Sequence, residues 1–526
     1  MQSRYAVLIA TLLAGTSAFA APDLPTYAVT DLKALGIWPV AMNNQGQVLG
    51  YSQAGDPVGP APVYFRSFLY SAGDVTELFP PTDSPYSYPE LLSDGGHVTL
   101  SANGGYWLYE RGTYRKLSPP PPESPADRLA YWKVFSLNAA GEAAGSVSWY
   151  KEPPQEFETQ VAWAWIDDHG LLKDLKPAGE RGCRPAGTDA INARGDVALQ
   201  CDTGVGVMYR DGTWRRIDEQ PAYIRSFNDA ASVLVFKPDY GGRTYVFTDG
   251  STGVIEPVCP EDSANCQADG YDLSDRGEVV GSTYFVATAG SATRSLNRAL
   301  IWRDGKTTDV HPAGALSSVL ASINEGGVAV GFYDTQDGKP RPFVHSSDTN
   351  LDISELRGVG AALDAVLATS NQVSIRIADS GHILVAATWA SFWPPEKWQY
   401  VRLGAYLLSP VVPTVSLSAD TTQTRAGRPV VLTWNSTDAN SCAASGGVSG
   451  DGWAGTRATS GQLTLTASVP SDVRYSMRCS AGPVYGDATV AVAYTRKSGG
   501  GGRLDALAAL LLGFARLGLS RRRKAN

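Results

Sequence analysis

Most of this chain is written in short runs of alternating apolar and polar positions, broken at intervals by glycine or asparagine. One unit recurs: a small or polar residue, an apolar residue, Asn or Ser, two variable residues, Gly, then an apolar run. It stands as AMNNQGQVLG from Ala41, LLSDGGHVTL from Leu91, SLNAAGEAAG from Ser136 and AINARGDVAL from Ala190. It returns as SFNDAASVLV from Ser226, DLSDRGEVVG from Asp272, SINEGGVAVG from Ser322 and RIADSGHILV from Arg376. Asn or Ser at the first turn position bonds its own backbone, and Gly at the fourth tolerates left-handed backbone. Each copy therefore predicts a β-hairpin, and the alternation beside it predicts strands with one buried face. A second hairpin follows in most copies, as in FLYSAGDVTEL from Phe68, WLYERGTYRKL from Trp107 and LIWRDGKTTDV from Leu300. That makes four strands per copy.

The Gly position falls at residues 46, 96, 141, 195, 231 (an Ala), 277, 327 and 381. Steps of 36 to 54 residues are too long for a small solenoid rung and fit a propeller blade. The eighth copy ends at residues 405–410, one strand short, and residues 26–35 match the missing outer strand. The expected fold is therefore all-β: a seven- or eight-bladed β-propeller over residues 27–410, closed by its own N-terminal strand so that no sheet edge is exposed. An open β-solenoid is the alternative. Pro410 and Pro413 mark a boundary, and residues 413–495 read as a small β-sandwich with a Cys442–Cys479 disulfide near Trp434.

Three resemblances follow from these residues. The alternation of an Ile-Asn-x-x-Gly-x-Val-x-Gly hairpin with an aromatic Gly-turn hairpin resembles the HAF repeat of bacterial exported proteins, over about residues 27–408. It departs where Ala231 replaces the Gly and where the second and eighth copies lack the Asn, and it carries no enzymatic activity to transfer. The stretch Trp434-Asn435-Ser436-Thr437 through Ser441-Cys442 is similar to bacterial Ig-like domains, which serve mostly as spacers or stalks and less often as glycan binders. Residues 496–526 hold Gly499, Gly500, Gly501 and Gly502, an apolar run from Leu504 to Leu519, and Arg521-Arg522-Arg523-Lys524. This order resembles the GlyGly-CTERM sorting tails of Gram-negative bacteria. It implies cutting at the glycines by a rhomboid-like protease and a transient hold in the inner membrane. An amphipathic surface helix is the alternative.

The start of the chain agrees on the address. Arg4, an apolar run from Ala6 to Ala14 and the small-x-small Ala18-Phe19-Ala20 read as a signal peptide over residues 1–20, cut by signal peptidase after Ala20. The apolar run is well short of the ~20 residues a membrane span needs. Export into an oxidising compartment makes the six cysteines three disulfides. Their order along the chain predicts Cys183–Cys201, Cys259–Cys266 and Cys442–Cys479.

Composition sharpens this picture. Gly (55) and Pro (33) against only 4 Met favour strands and turns over helices. The net charge of −8 hides an asymmetry. Residues 1–20 and 496–526 hold nine of the 44 basic groups and one of the 52 acidic ones, so the body keeps 35 against 51, a net −16. Such a surface repels phosphate and excludes nucleic acid as a partner.

The sequence holds no nucleophile elbow, no His-Glu-x-x-His, no phosphate loop and no complete dinucleotide fingerprint. No catalytic, metal or cofactor residue is assigned. His97, His169, His311, His345 and His382 stand singly, and Asp167-Asp168-His169 reads as a hairpin turn. Asp334 and Asp337 lack the rest of a calcium loop. The stretch from Tyr209 to Trp214 resembles an Asp-box turn of sialidase propellers, itself a structural feature. The expectation is a non-catalytic surface protein that binds a glycan or a protein, or serves adhesion or structure. Long connections at Asp56 to Pro62, Pro119 to Asp127 and Glu152 to Glu158 are the candidate binding edges. A secreted hydrolase or lyase with paired acids at the central pore is the alternative.

Overall fold

The computed structural model describes residues 24–54, 64–83, 86–121, 128–150, 161–180, 182–219, 222–238, 242–248, 251–261, 263–289, 292–391 and 399–496. Eight four-stranded antiparallel sheets follow one another along the chain. Blades 1 to 7 span residues 38–78, 88–116, 128–175, 184–218, 223–255, 263–309 and 317–352. Blade 8 takes three strands from residues 372–410, and its fourth is Tyr27–Asp31, paired in register from Tyr27 opposite Pro410 to Asp31 opposite Tyr406. The ring is closed, with eight blades. A short α-helix, Ala361–Leu367, sits in the connection before blade 8.

What holds the blades together is a set of eight apolar clusters, each shared by two neighbours. Blades 1 and 2 meet through Leu49, Leu69, Leu78, Val98 and Leu100, and blades 4 and 5 through Val205, Val207, Phe227 and Val233. At the seam, Leu32 and Ile37 join blade 8 to blade 1, while Leu24 and Tyr27 join blades 7 and 8. The second strand of each blade is therefore covered on both faces. Val197, Ala198 and Leu199 are all buried, as are Val233, Leu234 and Val235. The expected alternation with one buried face holds for first strands such as Tyr88–Leu92 and Ser317–Ile323, while the outer strand Asp74–Leu78 is mostly exposed. A strand sandwiched between two blades has no solvent side to spend on polar residues, hence the unbroken apolar runs.

Six first strands carry a β-bulge at the same place. The skipped residues are Val40, Glu90, Phe135, Arg225, Tyr271 and Ala321, each three positions before the turn Asn or Ser. Opposite the bulge in blades 6 and 7 sit Gly281 and Gly331, where a Cβ would lie 2.0 Å and 1.9 Å from the first strand's carbonyls of Asp269 and Val319. Bulges of this kind re-aim side chains, and two of the skipped residues, Val40 and Glu90, line the central channel.

Beyond Pro413 a three-stranded and a five-stranded sheet form a β-sandwich around Val430, Leu432, Trp434, Trp453, Tyr475, Met477 and Val492. Cys442 and Cys479 are bonded to each other, and they stand opposite one another within the five-stranded sheet. This departs from antibody domains, whose disulfide joins the two sheets. The other two disulfides are Cys183–Cys201 and Cys259–Cys266. Three bridges fit an exported protein. Among the described residues no helix is long and apolar enough to cross a membrane. The signal-peptide cut after Ala20 and the processing glycines Gly499 to Gly502 lie outside the described residues.

Candidate functional site: the central channel and its two faces

Each first strand runs down to its turn, Asn-x-x-Gly or a variant of it, so all eight turns ring one mouth of the channel, the turn face. The Asn side-chain oxygen accepts from backbone amides of its own turn, as Asn43 does from Gln45 (3.2 Å) and Gln47 (3.0 Å) and Asn138 from Ala140 and Glu142. Its amide nitrogen does something else: it donates to the carbonyl of the equivalent residue in the next blade. Asn43 reaches Ser93 at 2.9 Å, Asn138 reaches Asn192 at 3.0 Å, and Asn228 reaches Ser274 at 2.8 Å. The motif thus builds a circumferential belt as well as a turn.

The residue after the Asn adds a second belt. The backbone N–H of Ala193 donates to Asp229, that of Asp229 to Asp275, that of Asp275 to Glu325 and that of Glu325 to Asp379, all at 2.6–2.8 Å. Asp379 donates to the side-chain oxygen of Asn44 (3.2 Å), and Asn44 to Asp94 (2.7 Å). Ala139 and Ala193 break the chain of carboxylates around blades 3 and 4. There Ser136 accepts from the Ile191 amide at 3.1 Å, and Arg210 bonds Glu142 across the blades at 2.7 Å.

These carboxylates crowd one opening. Asp94, Asp275, Glu325 and Asp379 all titrate above the ordinary range, first because the channel wall strips their water and then because they repel one another. The space they enclose, about 400 Å³, is also lined by Glu90, Asp189 and Asp272. Arg376 is the one cation among its described lining residues. Asp189 in blade 4 and Arg376 in blade 8 face each other across the ring. Desolvation raises both Asp189 and Asp272, and the pull of Arg376 does not offset it. Asp272 is committed to the backbone amides of Ile323 (2.9 Å) and Leu273 (3.0 Å). Arg376 and Asp189 had no signal in the sequence, because nothing local shows which strand residue meets the channel.

The other residues singled out from the sequence remain apart. His97 lies against Ser93 and Glu110, His311 bonds Ser318, His345 bonds Asn350, and His382 bonds Ser380. His169 occupies a turn at φ 53° beside Asp168, and Asp167 pairs with Arg115 at 2.8 Å. Asp337 bonds Thr335 within its own turn. Asp211 accepts from the Thr213 amide at 2.8 Å, as a turn residue does. Among the described residues no three His, Cys, Asp or Glu side chains are placed to hold a metal ion.

The opposite mouth, the loop face, receives the strand ends that flank the three long connections. Residues 56–62, 122–127 and 152–158 themselves lie outside the described residues. Around this face stand Trp38, Tyr51, Tyr64, Phe65, Tyr86 and Tyr88. Tyr64 stacks on Tyr86 at 4.0 Å, and Arg402 lies over the rings of Trp38 and Tyr51 at 5.3 and 4.9 Å.

A closed propeller with an appended β-sandwich is the class these observations define. No family model matches the chain, and no curated protein matches it. Solved structures are similar at a distance. Dipeptidyl peptidase 4 of Porphyromonas gingivalis is 13% identical, over 67% of this chain and 57% of that one, with a TM-score of 0.43. The β-propeller domain of the Trilobed protease from Pyrococcus furiosus is 11% identical, over 63% of this chain and 99% of that one, with a TM-score of 0.31. Acylaminoacyl peptidase of Pyrococcus horikoshii is 11% identical, over 70% and 58%, with a TM-score of 0.35. This chain spans somewhat more than half the length of those two peptidase chains. At such identities the similarity is one of architecture, and no role passes to this chain.

Proposed function

We propose that this protein is an exported, non-catalytic binding protein that presents the loop face of its propeller to a glycan or protein at the cell surface. The observation that carries the reading is the use of the channel carboxylates. Asp94, Asp229, Asp275, Glu325 and Asp379 each accept a neighbouring blade's backbone amide. General acid–base work needs a carboxyl free to exchange its proton with a substrate, and these are committed to the ring. The resemblance to HAF repeats and to an Ig-like spacer supports the same reading. The tail's resemblance to GlyGly-CTERM signals supports release through a rhomboid-like protease after a transient hold in the inner membrane. C-terminal mass analysis of secreted material tests that, since a mature species retaining Arg521 to Asn526 contradicts it.

The hydrolase or lyase reading retains a foothold in Asp189, which lines the channel and among the described residues accepts no backbone amide. The deciding experiment is turnover by residues 21–496 on polysaccharide and ester panels, beside Asp189→Asn and Asp272→Asn. The binding reading expects none. Turnover abolished by either substitution makes the protein an enzyme.

A further inference from the structure

Where the ring closes, a second cavity of about 500 Å³ opens between blades 7, 8 and 1, next to the channel. Its shape follows from an irregularity of the repeat. Blade 8 lacks the bulge that six other first strands carry, and Gln372–Ile377 pairs in unbroken register with residues 383–388. Side chains along it alternate: Ile375 and Ile377 enter the core, while Gln372, Ser374 and Arg376 are exposed and line the cavity. Trp38 of blade 1 and Phe332 and Asp334 of blade 7 form the facing walls.

The polar groups here have capacity to spare. The side chains of Asp334 and Arg376 make no hydrogen bond or ion pair among the described residues, and burial holds the Asp334 carboxyl above its usual range against the pull of Arg294. Gln372 accepts from Thr388 at 3.3 Å through its side-chain oxygen and keeps its amide hydrogens. Arg402 covers one face of the Trp38 ring. An indole, an amide donor, a carboxylate acceptor, a hydroxyl and a guanidinium thus converge on one pocket of ordinary ligand size. A pyranose needs that combination: an aromatic ring for its C–H face, and donors and acceptors for hydroxyls that act as both.

We infer that the seam cavity binds a saccharide unit of a glycan chain. The inference rests on the binding reading above and gives it a ligand class and a locus. The test is titration calorimetry of the secreted protein with cellohexaose, maltohexaose, chitohexaose and an oligogalacturonate. At least one should bind. Trp38→Ala and Gln372→Ala should each weaken it about tenfold or more, equivalent to about 1.4 kcal/mol, and Trp38→Phe should keep most of the affinity. Gln372→Ala, on an exposed position, guards against loss of fold in the Trp38 variant, and the melting curve of each variant is recorded. Affinity unchanged in both alanine variants overturns the locus. No binding of any of the four probes overturns the saccharide assignment. The wider binding reading falls only to turnover, so the two failures are distinct.

Discussion

Ala231 occupies the position that glycine holds in the seven other copies, and it keeps their backbone, with φ 59° against 76–84°. Left-handed backbone costs a residue with a Cβ about 1–2 kcal/mol, part of which glycine returns through unfolded-state entropy. Ala231→Gly should therefore stabilise by about 0.5–1 kcal/mol. The reverse change at Gly277, where a Cβ would meet nothing within 4 Å, should destabilise by about 1 kcal/mol through backbone strain alone. Urea titrations check both, and a fall for the first or a rise for the second contradicts the turn geometry. Buried Asn138 has more to lose. It accepts two amides and donates to Glu142 and Asn192, so Asn138→Ala should cost about 2–3 kcal/mol in the same titration. Its role in its own turn was legible from Asn-x-x-Gly spacing. The bond to Asn192 was not, because its partner lies 54 positions away and meets it only when blades stack.

At the level of the turn and strand, the carboxylate belt makes a prediction with a definite sign. Asp94, Asp275, Glu325 and Asp379 have folded-state pKa values raised above those of the unfolded chain. Such groups bind protons more tightly when folded, so their contribution is largest below the ordinary carboxylate pKa and is lost as pH rises through the raised values. Stability should rise as pH falls from neutral through the raised values toward the ordinary carboxylate range, until the lowered groups, Asp352 on Arg341 among them, begin to protonate. Asn44 already does the work of an acid in blade 1 by accepting the Asp379 amide. Asp379→Asn should therefore keep the latch, flatten the pH profile and gain a few tenths of a kcal/mol at neutral pH, about the scale of exposed charge interactions. Melting curves across this range check it, and an unchanged profile counts against the belt. Strand and hairpin positions were readable from periodicity. The bulges at Val40, Glu90 and Tyr271 were not, because a one-residue slip leaves the apolar pattern almost intact. The channel lining, Asp189 and Arg376 included, escaped the sequence because nothing local shows which residue of a blade meets the channel.

For the whole molecule, closure by the N-terminal strand was legible because the last copy visibly lacked a strand. The structure adds how the seam is fastened. Arg357 donates to the Leu24 carbonyl (2.9 Å) and to Asn440 of the sandwich (2.7 Å), and Asn440 donates to the same carbonyl (3.1 Å). The sandwich thus clasps the seam it follows. Removing residues 21–34 should strip the outer strand from blade 8, expose the edge of its third strand and drive aggregation. Light scattering and melting check this, and unchanged solubility contradicts the closed ring. The structural role of the channel carboxylates is open to direct measurement by amide hydrogen exchange at the turn face. The amides of Ala193, Asp229, Asp275 and Glu325 sit in turns at an open mouth, yet they should exchange slowly because a neighbouring carboxylate holds each one. In Asp275→Ala the protection should vanish at Asp229 and persist at Glu325. Exchange at the rate of an open turn in the unmodified protein would contradict the latch and return the carboxylates to the pool of candidate catalytic groups.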